Sequence, residues 1–170
     1  NLKAAYAFML FHPGKKLLFM GQEFGQLREW SEERELDWYL LNEKPHQDLQ
    51  EFVKTLLHMY TKYPALYAGD NDPDGFEWIN ADDAYRSIFS FVRKSPTGRN
   101  NILYVVNFTP VDRPDYRVGV PKKKQYKQIM DENGLLTEPK TFKAEKQECD
   151  NRPFSFAYPL PAYGVAVFTY

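Results

Sequence analysis

With 170 residues, the chain is long enough for one large domain, or for one complete domain and part of another. Hydrophobic residues make up 43%, aromatic residues 16% and charged residues 26%, a balance that excludes a disordered chain. A net charge of −1 supplies no field for nucleic acid or an anionic membrane surface, so neither partner is expected.

Leu2, Ala5, Tyr6 and Met9 repeat at i, i+3, i+4, i+7, which predicts an amphipathic helix over residues 1–11, closed by His12-Pro13-Gly14. The run Lys15-Lys16-Leu17-Leu18-Phe19-Met20 then reads as a strand buried on both faces, opening into the loop Gly21-Gln22-Glu23-Phe24-Gly25. Helix, turn and buried strand make the repeating unit of a parallel α/β fold, and such a strand needs neighbours on both edges. No neighbour of that kind is recognisable in the sequence, so a larger preceding portion is expected. Residues 26–41 form a polar but aromatic loop, of a length that is usually functional. Pro45 marks the first turn of a second helix, in which Leu49, Phe52, Val53, Leu56 and Tyr60 share a face until Tyr63-Pro64 stops it. This helix is expected to pack on the same sheet as the Leu17–Met20 strand. Cut from that sheet, Leu17, Leu18, Phe19 and Phe52 would lack partners, and residues 1–68 would be held against the following domain or another copy.

The turn-dense Asp70-Asn71-Asp72-Pro73-Asp74-Gly75 marks a boundary, giving units of residues 1–68 and 69–170. Beyond it, strands are predicted at Phe76–Ile79, Tyr85–Arg93, Ile102–Phe108, Tyr116–Val120, Tyr126–Asp131, Thr141–Glu145, Phe154–Tyr158 and Val165–Thr169. Short strands at this spacing predict an antiparallel β-sandwich of hairpins and Greek keys. Its core is expected to hold Phe76, Trp78, Tyr85, Phe89, Phe91, Tyr104, Phe108, Phe154, Phe156, Tyr158 and Phe168, and Lys122-Lys123-Lys124 reads as a solvated hairpin end.

His12, His46 and His58 match no metal-ligand spacing, no glycine-rich phosphate loop is present, and neither metal nor cofactor is expected. A single cysteine, Cys149, cannot form an internal disulfide, and no apolar run reaches the length of a bilayer span; the cytoplasm is the expected location. Glu23 follows a buried strand, where side chains converge on a sheet mouth, and reads either as a substrate-facing acid or as a structural one. Trp30 and Trp38 with Arg28 can form a sugar-stacking wall with a donor beside it, or can simply anchor the loop. Glu29, Glu35 and Asp37 read as solvated loop charges.

The segment Gly14-Lys15-Lys16-Leu17-Leu18-Phe19-Met20-Gly21-Gln22-Glu23-Phe24-Gly25, with Arg28-Glu29-Trp30 and Leu36-Asp37-Trp38, resembles the 1,4-α-glucan branching enzymes of the α-amylase superfamily. Gly75-Phe76-Glu77-Trp78-Ile79, Asn107-Phe108-Thr109-Pro110 and Asp115-Tyr116-Arg117-Val118-Gly119 extend the likeness. The resemblance implies a mainly β chain, with residues 69–170 as the α-amylase-type C-terminal sandwich and residues 1–68 as the last helix-strand-helix portion of a (β/α)8 barrel. It implies an α-glucan partner and a retaining transglycosylation whose carboxylates match no position here, so this chain alone is expected to be inactive. Only the loop Gly21 to Trp30 carries over as cleft wall, with Glu23, Arg28, Trp30 and Trp38 as substrate-binding candidates and no catalytic residue. Another barrel-plus-sandwich enzyme, of the trehalohydrolase or debranching type, and a glucan-binding module are the alternatives.

Overall fold

Local sequence accounts for both helices of the computed structural model, which describes residues 1–170. Helix α1 spans Leu2–Phe11 and ends because His12, preceding Pro13, is held extended at φ −67°, ψ 149°. Helix α2 spans Lys44–Lys62 with Pro45 in its first turn, and it stops at the extended Tyr63 before Pro64. Its buried residues Leu49, Phe52, Val53, Leu56 and Met59 follow helical spacing along one face.

The remaining order comes from nine strands: β1 Phe76–Asp83, β2 Ile88–Arg93, β3 Ile102–Asn107, β4 Arg113–Val120, β5 Gln125–Asp131, β6 Gly134–Leu135, β7 Thr141–Lys143, β8 Phe154–Leu160 and β9 Val165–Thr169. A large antiparallel sheet runs β1-β2-β3-β9-β5-β6, with β7 also on β5, and β4 and β8 pair as a second sheet. The large sheet is buried on both faces, and strand alternation sorts its side chains. Ile102, Tyr104, Val106, Val165 and Val167 join a core shared with α1 and α2. Leu103, Val105, Ala166 and Phe168 join a second core beneath β4 and β8. A bulge between Gln128 and Met130 lets the consecutive Ile129 and Met130 both join the helix-side core. The molecule is thus a sandwich with a helical layer on one outer face.

Arg93, at the end of β2, fastens that layer. It has no exposed side-chain surface, and its Nη1 donates to the carbonyl of Phe11 at 2.9 Å. Its Nη2 donates to the carbonyl of Leu66 at 3.1 Å and pairs with Asp70.

Several expectations need correction. Residues 16–20 form no strand, and Leu17 is 72% exposed, because no strand of the chain lies beside them to accept the backbone hydrogen bonds. Phe52, expected to lack its barrel partners, is 3% exposed, because α2 packs on α1 and on the sandwich, the first of the two arrangements expected for residues 1–68, rather than on a sheet built around residues 17–20. Tyr85 is 96% exposed and lies in a turn, since Asp83 accepts from the backbone N–H of Arg86 at 3.2 Å and from its Nε at 2.6 Å, delaying β2 to Ile88. Lys122–Lys124 are exposed as expected, but they join β4 in one sheet to β5 in the other, so they do not close a hairpin.

At Gly119 the chain leaves no room for a side chain: an added Cβ would lie 2.9 Å from the carbonyl carbon of Cys149. The adjacent Asp150 Oδ2 accepts the Gly119 N–H at 2.9 Å. Gly119→Ala is therefore expected to cost about 2 kcal/mol by pushing the Cys149–Asp150 backbone, a strap across β4, off that strand. Urea unfolding of the variant would measure it, and an unchanged midpoint would show that the strap yields freely.

Candidate functional site

The site is built on a loop whose backbone path depends on two glycines. Gly21 and Gly25 adopt φ +91° and +70° on either side of the short 3-10 turn Gln22–Phe24, which brings the chain sharply back on itself. Phe24 is fully buried, and its carbonyl accepts from Nδ1 of His46 on α2 at 2.7 Å. Tyr6 on α1 donates its hydroxyl to the carbonyl of Gln22 at 2.9 Å. Both helices therefore hold the turn in place.

From this base Gln26 knits the rest of the loop. Its backbone N–H donates to Gly21 at 3.0 Å, its Oε1 accepts the N–H of Asp37 at 2.8 Å, and its Nε2 donates to the carbonyl of Arg28 at 3.0 Å. Asp37 is 3% exposed and receives Arg28 in a bidentate pair, with Nε at 2.9 and 2.8 Å from the two carboxylate oxygens and Nη2 on Oδ1. The hydrogen bonds to Asp37 hold the Arg28 guanidinium more firmly protonated than usual. Asp37 was expected to be a solvated loop charge, and this correction has a plain cause: the partner that buries it lies nine residues away and meets it only when the loop folds. The sole sequence signal was an acid flanked by Leu36 and Trp38.

An open groove of about 470 Å³ results, lined by Phe19, Met20, Leu27, Arg28, Glu29 and Trp30 together with Gln22 and Gln26. Trp30 meets Phe19 edge-on, with ring centroids 5.3 Å apart and planes at 84°, which leaves the indole partly exposed. Of the four expected binding residues, the structure brings Arg28 and Trp30 together in this groove. Trp38 instead tilts against Phe24 at 5.2 Å, and Glu23 lies toward Tyr6, whose hydroxyl pKa is raised by burial and by the Glu23 carboxylate. Leu17, Phe19, Met20, Leu27 and Trp30 all remain exposed on the same stretch of chain. Glu29 is the one carboxylate lining the groove, whereas retaining glycosyl transfer requires two at about 5–5.5 Å.

Elsewhere, burial pushes the Cys149 thiol up to about 11, and its Sγ donates to the carbonyl of Arg117 at 3.3 Å, the environment of an unreactive thiol. No three His, Cys, Asp or Glu side chains cluster as metal ligands, and no helix is long and apolar enough to cross a membrane.

Residues 78–170 match the family described as the alpha amylase C-terminal all-beta domain. The chain is 48% identical to the 1,4-alpha-glucan branching enzyme GlgB of Butyrivibrio fibrisolvens, over 100% of this chain and 28% of that enzyme. It is 43% identical to the enzyme of the same name from Aquifex aeolicus, over 97% of this chain and 27% of that enzyme. The chain thus spans about a quarter of the length of the curated relatives it matches. Among solved structures, a type I pullulanase from Bacillus subtilis crystallised with maltose superposes with a TM-score of 0.67 at 13% identity, over 99% of this chain and 23% of that one. At that identity the likeness is one of fold.

Proposed function

Because the chain belongs to the family of alpha-amylase C-terminal all-beta domains, we propose that it forms the C-terminal part of a 1,4-alpha-glucan branching enzyme. The observation that carries this reading is 48% identity to a protein of that name along the whole chain. The proposed parent cuts an α-1,4-glucan chain, holds it as a covalent glycosyl-enzyme, and transfers it to a 6-hydroxyl to make an α-1,6 branch in glycogen. In this reading residues 1–68 complete a (β/α)8 barrel and residues 69–170 are the sandwich domain that follows it. Leu17, Phe19 and Met20, exposed and in no strand, support that assignment, since the Leu17–Met20 run has the composition of a strand that is buried in a barrel.

The loop from Gly21 to Trp30 then forms part of the glucan cleft. Arg28 offers donors to sugar hydroxyls, Trp30 offers a ring face, and Trp38 supports the loop by packing on Phe24. The nucleophile and the acid-base carboxyl come from outside these residues. The cytoplasm, where glucan is assembled from soluble precursors, fits the lone unreactive thiol.

Two experiments test this. Replacing the aligned quarter of the Butyrivibrio fibrisolvens enzyme with this chain is expected to preserve branching, seen as a fall in the absorbance of the amylose–iodine complex. A folded but inactive chimera would overturn the assignment. The 170 residues alone are expected to leave that absorbance unchanged.

A further inference from the structure

The buried carboxylate of Asp37 touches no substrate in the reading above, yet it is the most constrained acid of the loop. The geometry points to Asp37 as a positioning residue that turns one edge of the Arg28 guanidinium into the groove and makes the groove select neutral sugar hydroxyls over anions. This inference rests on the groove being a glucan wall.

The argument starts from the guanidinium, which has two usable edges. Asp37 occupies the edge formed by Nε and Nη2. Nη1 has no partner within the protein, and the Arg28 side chain is 54% exposed, so the two N–H groups of Nη1 remain available to a ligand in the groove. Arg28 cannot swing freely, because Asp37 is itself fixed through its own N–H by Gln26, whose side chain also holds the Arg28 carbonyl. The donors are thereby set in direction before any ligand arrives.

Charge decides what the donors can take. An unpaired arginine at a groove is a phosphate or carboxylate site. Here the Arg28 and Asp37 charges cancel, and Glu29 adds a negative group to the lining. What remains is a directional donor pair, an acceptor in Glu29 and the exposed face of Trp30. That set matches a neutral pyranose, whose C–H face packs on an aromatic ring while its hydroxyls both donate and accept. It is poorly suited to a phosphorylated ligand.

The test is an NMR titration of the 170-residue chain, observing the Trp30 indole and the Arg28 Nε–H, first with maltoheptaose and then with inorganic phosphate. The wild-type chain is expected to respond at both groups to maltoheptaose and at neither to phosphate. Asp37→Asn is expected to weaken the maltoheptaose response about tenfold and to gain a phosphate response at Arg28, which a merely structural loss would not produce. Arg28→Lys keeps a charge pair but lacks the second edge, so it should lose maltoheptaose affinity without gaining phosphate binding. If Asp37→Asn unfolds the loop, Asp37→Glu decides the matter, because it keeps the charge and displaces the carboxylate: it should weaken the maltoheptaose response at Trp30, and an unchanged response would overturn the positioning role. A wild-type chain silent to maltoheptaose at Trp30 would overturn the glucan-wall reading itself. A wild-type chain that responds, with an Asp37→Asn variant responding equally and ignoring phosphate, would overturn only the positioning role.

Discussion

Arg93→Met is expected to destabilise the chain by about 3–5 kcal/mol, a large share of the roughly 5–15 kcal/mol that holds a typical domain together. Methionine fills much of the volume, so the loss comes chiefly from what is left behind. Asp70, only 16% exposed at its side chain, would keep its charge without the guanidinium, with only the Lys16 ammonium and the Tyr60 hydroxyl left beside it. The carbonyls of Phe11 and Leu66, at the end of α1 and in the turn after α2, would lose their only side-chain donors. All three groups belong to the helical layer, so the damage should concentrate there. Hydrogen exchange is expected to show α1 losing protection more than β3 and β9, and urea unfolding should give the total. The double variant Arg93→Met with Asp70→Asn should recover about 1–2 kcal/mol of the loss, because it removes the stranded charge. A single-variant loss below about 1 kcal/mol would mean that apolar packing in the shared core, and not Arg93, fastens the helices to the sheet.

The same residue shows where sequence reading runs out. The helices were legible because their apolar spacing, Pro45 and Pro64 are local signals, and the strands because alternation and turns are local too. Ile102–Val106 and Val165–Phe168 read as strands, but their continuous apolar character does not say that one face meets helices and the other a second sheet. The run Leu17–Met20 has strand composition without strand structure, since composition records what a segment can bury and pairing depends on neighbours. Trp30 and Trp38 with Arg28 were readable as residue types suited to sugar or to anchoring the loop, but which tryptophan reaches the groove depends on how the loop folds. Asp37 was not readable, because an acid 9 residues from its arginine looks the same on paper whether it is solvated or buried. Arg93 and Asp70, 23 residues apart with the β1–β2 hairpin between them, are a stronger case of the same limit.

Buried tyrosines set the second large expectation, a steep loss of stability above pH 10. Burial raises the hydroxyl pKa of Tyr104, Tyr116, Tyr126 and Tyr158 well beyond the usual 10.0, and that of Tyr170 to about 12. Below pH 10 these phenols are neutral in both states and the folded chain bears no penalty. Above it the unfolded chain loses its phenolic protons first, so the unfolded state binds fewer protons and stability falls with rising pH. Each such tyrosine removes about 1.4 kcal/mol per pH unit until its folded pKa is reached. Two other groups act earlier and in opposite directions. Burial holds the Lys16 ammonium at about 8 against 10.5, so between those values the unfolded chain keeps a proton that the folded chain has released, and stability rises. The Cys149 thiol, raised to about 11 from 9.0, removes stability over its own window. Past pH 10.5 nothing offsets the phenols, and the five together exceed a typical folding free energy within about one to two pH units. The ultraviolet absorbance of tyrosinate should therefore rise in one step with the loss of β-sheet circular dichroism. Tyr104→Phe sharpens the test. The Tyr104 hydroxyl reaches the Ala4 carbonyl only at 3.5 Å, and its ring stacks on Phe91 at 4.8 Å, so the variant should stay within about 1 kcal/mol of wild type at neutral pH. Its alkaline midpoint should move upward. Full tyrosinate absorbance with the sheet signal intact would show that these rings ionise inside the folded sandwich, and the buried phenols would then not be what limits the chain at high pH.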